Sequence, residues 1–145
     1  MFLYAMEVFL ATSEQQVKDA CQVLNELRVQ YSADELVKTV KKQMEKGYRL
    51  VSCTENGSCL GALGFVVSHK LAWKKHIYID DLVVTEASRS RGAGNVLLEW
   101  IMNYARENGC EQVHLDSGVQ RFAAHKFYLN NGFRIASHHF SRTEI

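Results

Sequence analysis

Apolar residues recur along this chain in two periods, and the alternation between them outlines its elements. Tyr4 to Ala11 reads as a first strand. Ser13-Glu14-Gln15-Gln16 fits a capping box, S-x-x-Q, and Val17, Ala20, Cys21 and Leu24 follow at i, i+3, i+4, i+7 spacing. A second box, Ser32-Ala33-Asp34-Glu35, opens a helix with Leu36, Val37, Val40 and Met44 on one face, stopped near Gly47. Tyr48–Thr54 and Ser58–Ser68 read as strands joined by the hairpin signal Glu55-Asn56-Gly57. Gly61 and Gly64 in the second of these strands predict a bulge or the close approach of another backbone. His69–His76 reads as a loop and Ile77–Val84 as a strand. A helix follows over Gly94–Asn108, with Val96, Leu97, Trp100, Ile101, Tyr104 and Ala105 inward and Gly109 as its stop. Val113–Ser117 is a strand, Arg121–Asn130 a short helix ended by Asn131-Gly132, and Phe133–Ser141 a last strand. The order β-α-α-β-β-β-α-β-α-β predicts a mixed α and β fold.

Composition narrows the function classes. The 145 residues suit one domain, 1–145, with a real core, and no repeat or linker interrupts them. Seventeen basic and 16 acidic residues leave a net charge of +1, which argues against nucleic acid as a partner. The apolar N-terminus is too short to span a bilayer and lacks a basic flank, so a first strand explains it better than a signal peptide or membrane segment. Cys21, Cys53, Cys59 and Cys110 have no CxxC spacing and read as reduced thiols of a cytoplasmic protein. The six histidines show no ligand spacing, so no metal is expected. His138 and His139, on the last predicted strand, point to opposite faces. Proline is absent from the whole chain.

The stretch with the most chemical content runs from Leu82 to Gly94. It joins a strand to a helix start through Arg89, Ser90, Arg91, Gly92, Ala93 and Gly94. Glycines let backbone N–H groups converge on an anion, and the start of a helix adds free N–H groups and the positive end of its dipole. Strand alternation puts Tyr78, Asp80, Leu82 and Val84 on one face, and Ile77, Ile79, Asp81 and Val83 on the other.

Arg89-Ser90-Arg91-Gly92-Ala93-Gly94 resembles the R/Q-x-x-G-x-G/A motif of the GCN5-related N-acetyltransferase (GNAT) family. Leu82-x-Val84 is similar to the L-x-V strand end that precedes it. Ala124-His125-Lys126-Phe127-Tyr128-Leu129-Asn130-Asn131-Gly132-Phe133 resembles the family's A-x-x-F-Y-x-x-x-G-F. The resemblance is strong over residues 77–135. It implies an acyl-CoA N-acyltransferase fold, with a mostly antiparallel mixed sheet, a parallel strand pair splayed near Val84 and Ser117, and flanking helices.

The resemblance also implies acetyl-CoA as cosubstrate. Its pyrophosphate would lie on Arg89, Ser90, Arg91, Gly92, Ala93, Gly94 and Asn95, and its pantetheine along Leu82, Val83 and Val84 with Phe127 nearby. Tyr128, at the tyrosine of the F-Y pair, would protonate the departing thiolate. Tyr78-Ile79-Asp80-Asp81 looks like a segment of small-amine acetyltransferases in which the residue at the Asp80 position acts on the amine. Asp80 is therefore the candidate base or ammonium anchor, and Asp81 a structural carboxylate. Tyr31, Trp73, Asp80, Asp116 and Ser117 are the candidate acceptor residues. Arg121 stands where the family often has an asparagine that contacts the pantetheine, so this chain departs from the family there. Two family positions also differ: Glu86 stands where proline is usual, and Ser90 where the first glycine is usual.

The function expected is acetyl transfer to a primary amine, with a small cationic acceptor. A peptide acetyltransferase and a non-catalytic acyl-CoA-binding module are the alternatives. Family members are frequently dimers, so the oligomeric state stays open between monomer and homodimer. A Rossmann dinucleotide binder does not fit, because Leu97 stands where the third glycine belongs.

Overall fold

A computed structural model describes residues 5–145. Tyr4, the start of the first predicted strand, lies outside the described residues. The elements are β1 (Glu7–Leu10), α1 (Glu14–Leu27), α2 (Ala33–Glu45), β2 (Arg49–Glu55), β3 (Ser58–Lys70), β4 (Lys74–Val84), a 3-10 turn (Glu86–Ser88), α3 (Ala93–Glu107), β5 (Gln112–Leu115) and α4 (Phe122–Asn130). The strands form one sheet in the order β1-β2-β3-β4-β5, and the first three pairings are antiparallel. This is the mixed α/β class expected. The chain divides into two compact units, Met1–His114 and Leu115–Ile145.

In the first unit, both capping boxes form. Ser13 accepts from the Gln16 N–H and Ser32 from the Glu35 N–H, while the Gln16 and Glu35 side chains accept from the cap backbones. The β2–β3 hairpin turns through Asn56 and Gly57, both at positive φ, as an Asn-Gly turn requires. Buried residues of α1 and α2 (Val17, Ala20, Leu24, Leu36, Val40) pack with Tyr48, Leu50 and Ala62 on one side of the sheet. On the other side, Phe65 meets Trp100 and Tyr104 of α3 edge-on, at centroid distances of 6.4 and 5.1 Å.

A one-residue bulge breaks β4. Gly64 pairs with Asp81 and Phe65 with Ile79, so Asp80 has no partner on β3. Directly paired residues share a face of the sheet. Ile77 and Ile79 pair with Val67 and Phe65, and Leu82 and Val84 pair with Leu63 and Gly61. These four therefore share the α3 face. Tyr78, Asp81 and Val83 share the α1–α2 face. The unbroken alternation expected for this strand is corrected: the extra residue exchanges the faces of everything after it.

Gly61 meets the backbone approach expected of it, whereas Gly64 lies at the bulge and makes room for a side chain. A Cβ at Gly61 would lie 3.0 Å from Leu97 Cδ1 and 3.1 Å from the Val83 carbonyl. A Cβ at Gly64 would overlap the Tyr48 phenol.

Two other expectations are corrected. His69–His76 is not a loop, because the β3–β4 ladder continues to Lys70 opposite Lys74 and leaves only residues 71–73 to turn. Lys74, at φ 53°, helps close this tight reversal. The polar side chains there are compatible with pairing because the ladder is made by the backbone. Phe133–Ser141 is not a strand. Every residue from Arg134 onward is exposed, and strand preference without a paired edge does not produce a strand. β5 also ends at Leu115, so Asp116 and Ser117 follow it rather than belonging to it.

Candidate active site

The turn from β4 to α3 is built by backbone bonds. Thr85 N–H donates to Leu60 O at 2.8 Å, extending the ladder past the end of β4. Glu86 N–H donates to the Glu26 carboxylate of α1 at 3.1 Å. A proline at this position has no N–H to give, so the departure at Glu86 creates a tie that the usual residue could not make. Ser88 is buried, and Ser90 and Gly92 both take left-handed conformations, at φ 69° and 90°. The unusual Ser90 thus occupies a conformation that favours glycine.

Gly92 is the N-cap of α3 and supplies no side-chain cap to the first turn. A Cβ at Gly92 would meet nothing within 4 Å, so the space beside this residue is open. With no side-chain cap from Gly92, the start of α3 and the positive end of its dipole suit an anion such as a pyrophosphate. Ala93 is buried against the core, while Gly94 and Asn95 continue the first turn. Arg89 is exposed. Arg91 instead forms an ion pair with Glu55 at the end of β2, whose side chain is 17% exposed. This pair fastens the cradle to the β2–β3 hairpin.

Asp80, the bulge residue, stands one position before a fully engaged neighbour. Asp81 takes Arg28 Nε at 2.8 Å on one oxygen and the Tyr48 hydroxyl at 2.8 Å on the other. Partial desolvation of the exposed Asp80 side chain by its surroundings raises its pKa, and the Asp81 charge raises it further; Arg28 opposes both. Burial pushes the Tyr48 hydroxyl far up, and Asp81 adds to the shift, so Tyr48 is a fixed donor. Arg28 closes α1, and Asn25 Nδ2 donates to the carbonyls of Arg28 and Tyr31 at 3.2 and 3.0 Å. The turn carrying Tyr31 is thereby joined to the β4 bulge.

Trp73 stacks on His114 at 3.6 Å and 10°, and lies parallel to Tyr78 with centroids 6.4 Å apart. Lys70 Nζ sits 4.2 Å over the Trp73 ring. A cleft of about 900 Å³ opens elsewhere in this unit, lined by Phe9, Gln16, Asp19, Ser52 and Cys59 among others, and includes none of the predicted site residues.

In the second unit, Tyr128 of α4 packs between Phe127 and Phe133, at centroid distances of 5.4 and 5.8 Å. Burial raises the Tyr128 pKa, and Arg121, the N-cap of α4, opposes the shift. The hydroxyl therefore stays protonated through the neutral range. His125 holds the Gly118 carbonyl at 2.7 Å through a ring nitrogen, and Asp116 lies 3.6 Å from His139. The Ser117 hydroxyl is buried without a hydrogen-bond partner among the described residues.

Sequence reasoning missed the contacts of Glu26, Arg28, Tyr48 and Glu55, because each acts through a partner distant in sequence. Among the described residues, no group of three His, Cys, Asp or Glu side chains is placed to hold a metal ion.

Comparison with known proteins gives this geometry a context. The acetyltransferase (GNAT) family matches residues 17–133. An uncharacterized N-acetyltransferase of Bacillus subtilis, YhdJ, is 34% identical over 136 residues, covering 90% of this chain and 94% of that protein. The aminoalkylphosphonate N-acetyltransferase of Salmonella typhimurium is 31% identical over 96 residues, covering 66% of this chain and 61% of that protein. Among solved structures, the aminoglycoside N-acetyltransferase AAC(6')-Iy in complex with CoA superposes with a TM-score of 0.88 at 11% identity, covering 99% of this chain and 97% of that one. The family match over residues 17–133 and the similarity to YhdJ along nearly the whole chain show that it belongs to the GNAT family of acetyltransferases.

Proposed function

We propose that this chain is an acetyl-CoA-dependent N-acetyltransferase that passes the acetyl group directly to the primary amine of a small cationic molecule. The observation that carries the reading is the cradle at the start of α3, with Gly92 at φ 90° and open space where its side chain would be. Residues Arg89 to Asn95 would hold the pyrophosphate. Leu82, Val83 and Val84 would take the pantetheine as an added strand, and the family motif assigns Phe127 to cofactor binding as well. The family match spans both compact units, which supports one catalytic domain over 1–145. Four free thiols suit a reducing cytoplasm. A homodimer is the oligomeric state frequent in the family.

The reaction joins the amine nitrogen to the acetyl carbonyl carbon and breaks the carbon–sulfur bond. The amine must be neutral to attack, so a proton leaves it first. Asp80 is the residue for that end of the reaction. Its carboxylate would anchor the incoming ammonium or take the proton through water, and its raised pKa brings it closer to a useful base. A backbone N–H at Leu82 or Val83 would stabilise the oxyanion. Tyr128 would give its proton to the thiolate. Tyr31 and Trp73 would line the acceptor side, with Asp116 and Ser117 as further candidates.

The named relatives support small amines as acceptors. One acts on aminoalkylphosphonates, and a structural neighbour is an aminoglycoside acetyltransferase. The test is thiol release from acetyl-CoA over a panel of polyamines, aminoglycosides, aminoalkylphosphonates and peptides. Release with a small amine is expected. Release with peptides alone would replace the acceptor class, and no release with any amine would favour a binding module.

A further inference from the structure

Adjacent aspartates on β4 have different surroundings. Asp81 is surrounded by donors: Arg28 Nε at 2.8 Å and Nη2 at 2.7 Å on one oxygen, and the Tyr48 hydroxyl at 2.8 Å on the other. Its side chain is 14% exposed. Such a carboxylate has little capacity left for a ligand. Asp80 has the opposite character, exposed and without a partner on β3.

The donors of Asp81 also reach its neighbour. Arg28 Nη2 donates to the Asp80 carbonyl at 3.0 Å, so one guanidinium spans both residues of the bulge. Arg28 is itself held, because its own carbonyl and that of Tyr31 accept from Asn25. Tyr48 reaches Asp81 only because Gly64, paired opposite it, lacks a side chain. A bulge residue has lost its ladder partner and needs another restraint to keep one conformation.

We propose that Arg28, Asp81 and Tyr48 form a clamp of positioning residues that fixes the bulge at Asp80 and locks the α1–α2 turn to it. The inference rests on the acetyltransferase reading, in which Asp80 meets the acceptor amine. Asp81 thus serves the reaction through its neighbour. The clamp holds Asp80 and the Tyr31 turn in one relative position, and the acceptor binds to a preformed pair of walls.

The test uses Asp81→Asn in the full chain, with Tyr48→Phe as a milder variant should the first fold poorly. Three quantities are measured: turnover with an accepted amine, acetyl-CoA affinity by calorimetry, and amide hydrogen exchange over residues 28–32 and 79–82. Turnover should fall about ten- to hundredfold, as loss of alignment predicts. Acetyl-CoA affinity should stay within about twofold, because ground-state binding of the cosubstrate is not what the clamp supplies. Exchange should rise in both segments together. Wild-type turnover and exchange in a folded variant would overturn the proposal. So would parallel loss of turnover and acetyl-CoA binding, which signals general unfolding. If the unmodified chain releases no thiol with any amine, the acetyltransferase reading fails. The clamp is then judged by exchange alone, and unchanged exchange in either variant overturns it.

Discussion

The Tyr48 phenol lies over Gly64, in the space that a Cβ there would fill, and from that position its hydroxyl reaches Asp81 at 2.8 Å. A buried ring, a bare strand position and a charged acceptor thus share one small volume beside the bulge. Gly64→Ala should destabilise the protein by about 1–3 kcal/mol through overpacking. Gly61→Ala should cost less, because its Cβ would lie 3.0 Å from Leu97 and 3.1 Å from the Val83 carbonyl, whereas a Cβ at Gly64 would overlap the Tyr48 hydroxyl. Urea unfolding of both variants checks the order, and equal stabilities would contradict it.

The cradle predicts two substitutions of opposite sign. Gly92→Glu should lose acetyl-CoA binding, since it fills the open space there with a like-charged side chain and strains a left-handed position by about 1–2 kcal/mol. Ser90→Gly should raise stability by up to about 1 kcal/mol by relieving the residue at φ 69°. Calorimetric titration with CoA reads the first, and thermal unfolding the second. A folded Gly92→Glu protein with normal affinity would remove the turn as the phosphate site.

Asp80 makes stability depend on pH in a defined direction. Its folded pKa is raised above the ordinary 3.8, so the native state holds this proton more tightly than the unfolded chain. Through this group, stability falls as pH rises from 3.8 past the raised value, and is recovered on acidification. Asp80→Asn should therefore be more stable than the unmodified chain at neutral pH, with the advantage shrinking as pH falls. It should also lower turnover about a hundredfold, the scale of a lost acid–base group. A pH series of melting temperatures and rates tests both.

Tyr128→Phe separates chemistry from binding. The ring keeps its packing against Phe127 and Phe133, while the proton for the thiolate is removed. Turnover should fall about a hundredfold with acetyl-CoA affinity unchanged. Burial raises the Tyr128 pKa, so this residue should add no loss of activity on the alkaline side near neutrality. Unchanged turnover would exclude Tyr128 as the acid.

The helices were legible because their signals are local. Ser13 and Ser32 cap α1 and α2 with the partners that the S-x-x-Q and S-x-x-E spacings name. The Asn56-Gly57 turn and the glycine cradle depend on a few adjacent residues and were equally readable. The bulge at Asp80 was foreshadowed by Gly64, but its effect on the faces was not, because a bulge is a property of two paired strands. Arg28 and Asp81, separated by 53 positions, carry no mutual signal in a single sequence.

By itself, then, the sequence determined the element order as far as α4, the two capped helices, the tight hairpin and the glycine-containing turn between β4 and α3. These rest on local backbone preference and on hydrophobic period. Tertiary structure decided which aspartate is engaged, which face Leu82 and Val84 occupy, and that residues after Phe133 form no strand. It also explained the missing proline at Glu86, whose N–H is bonded to Glu26. Each turns on whether another element supplies a partner, and only the folded chain decides that.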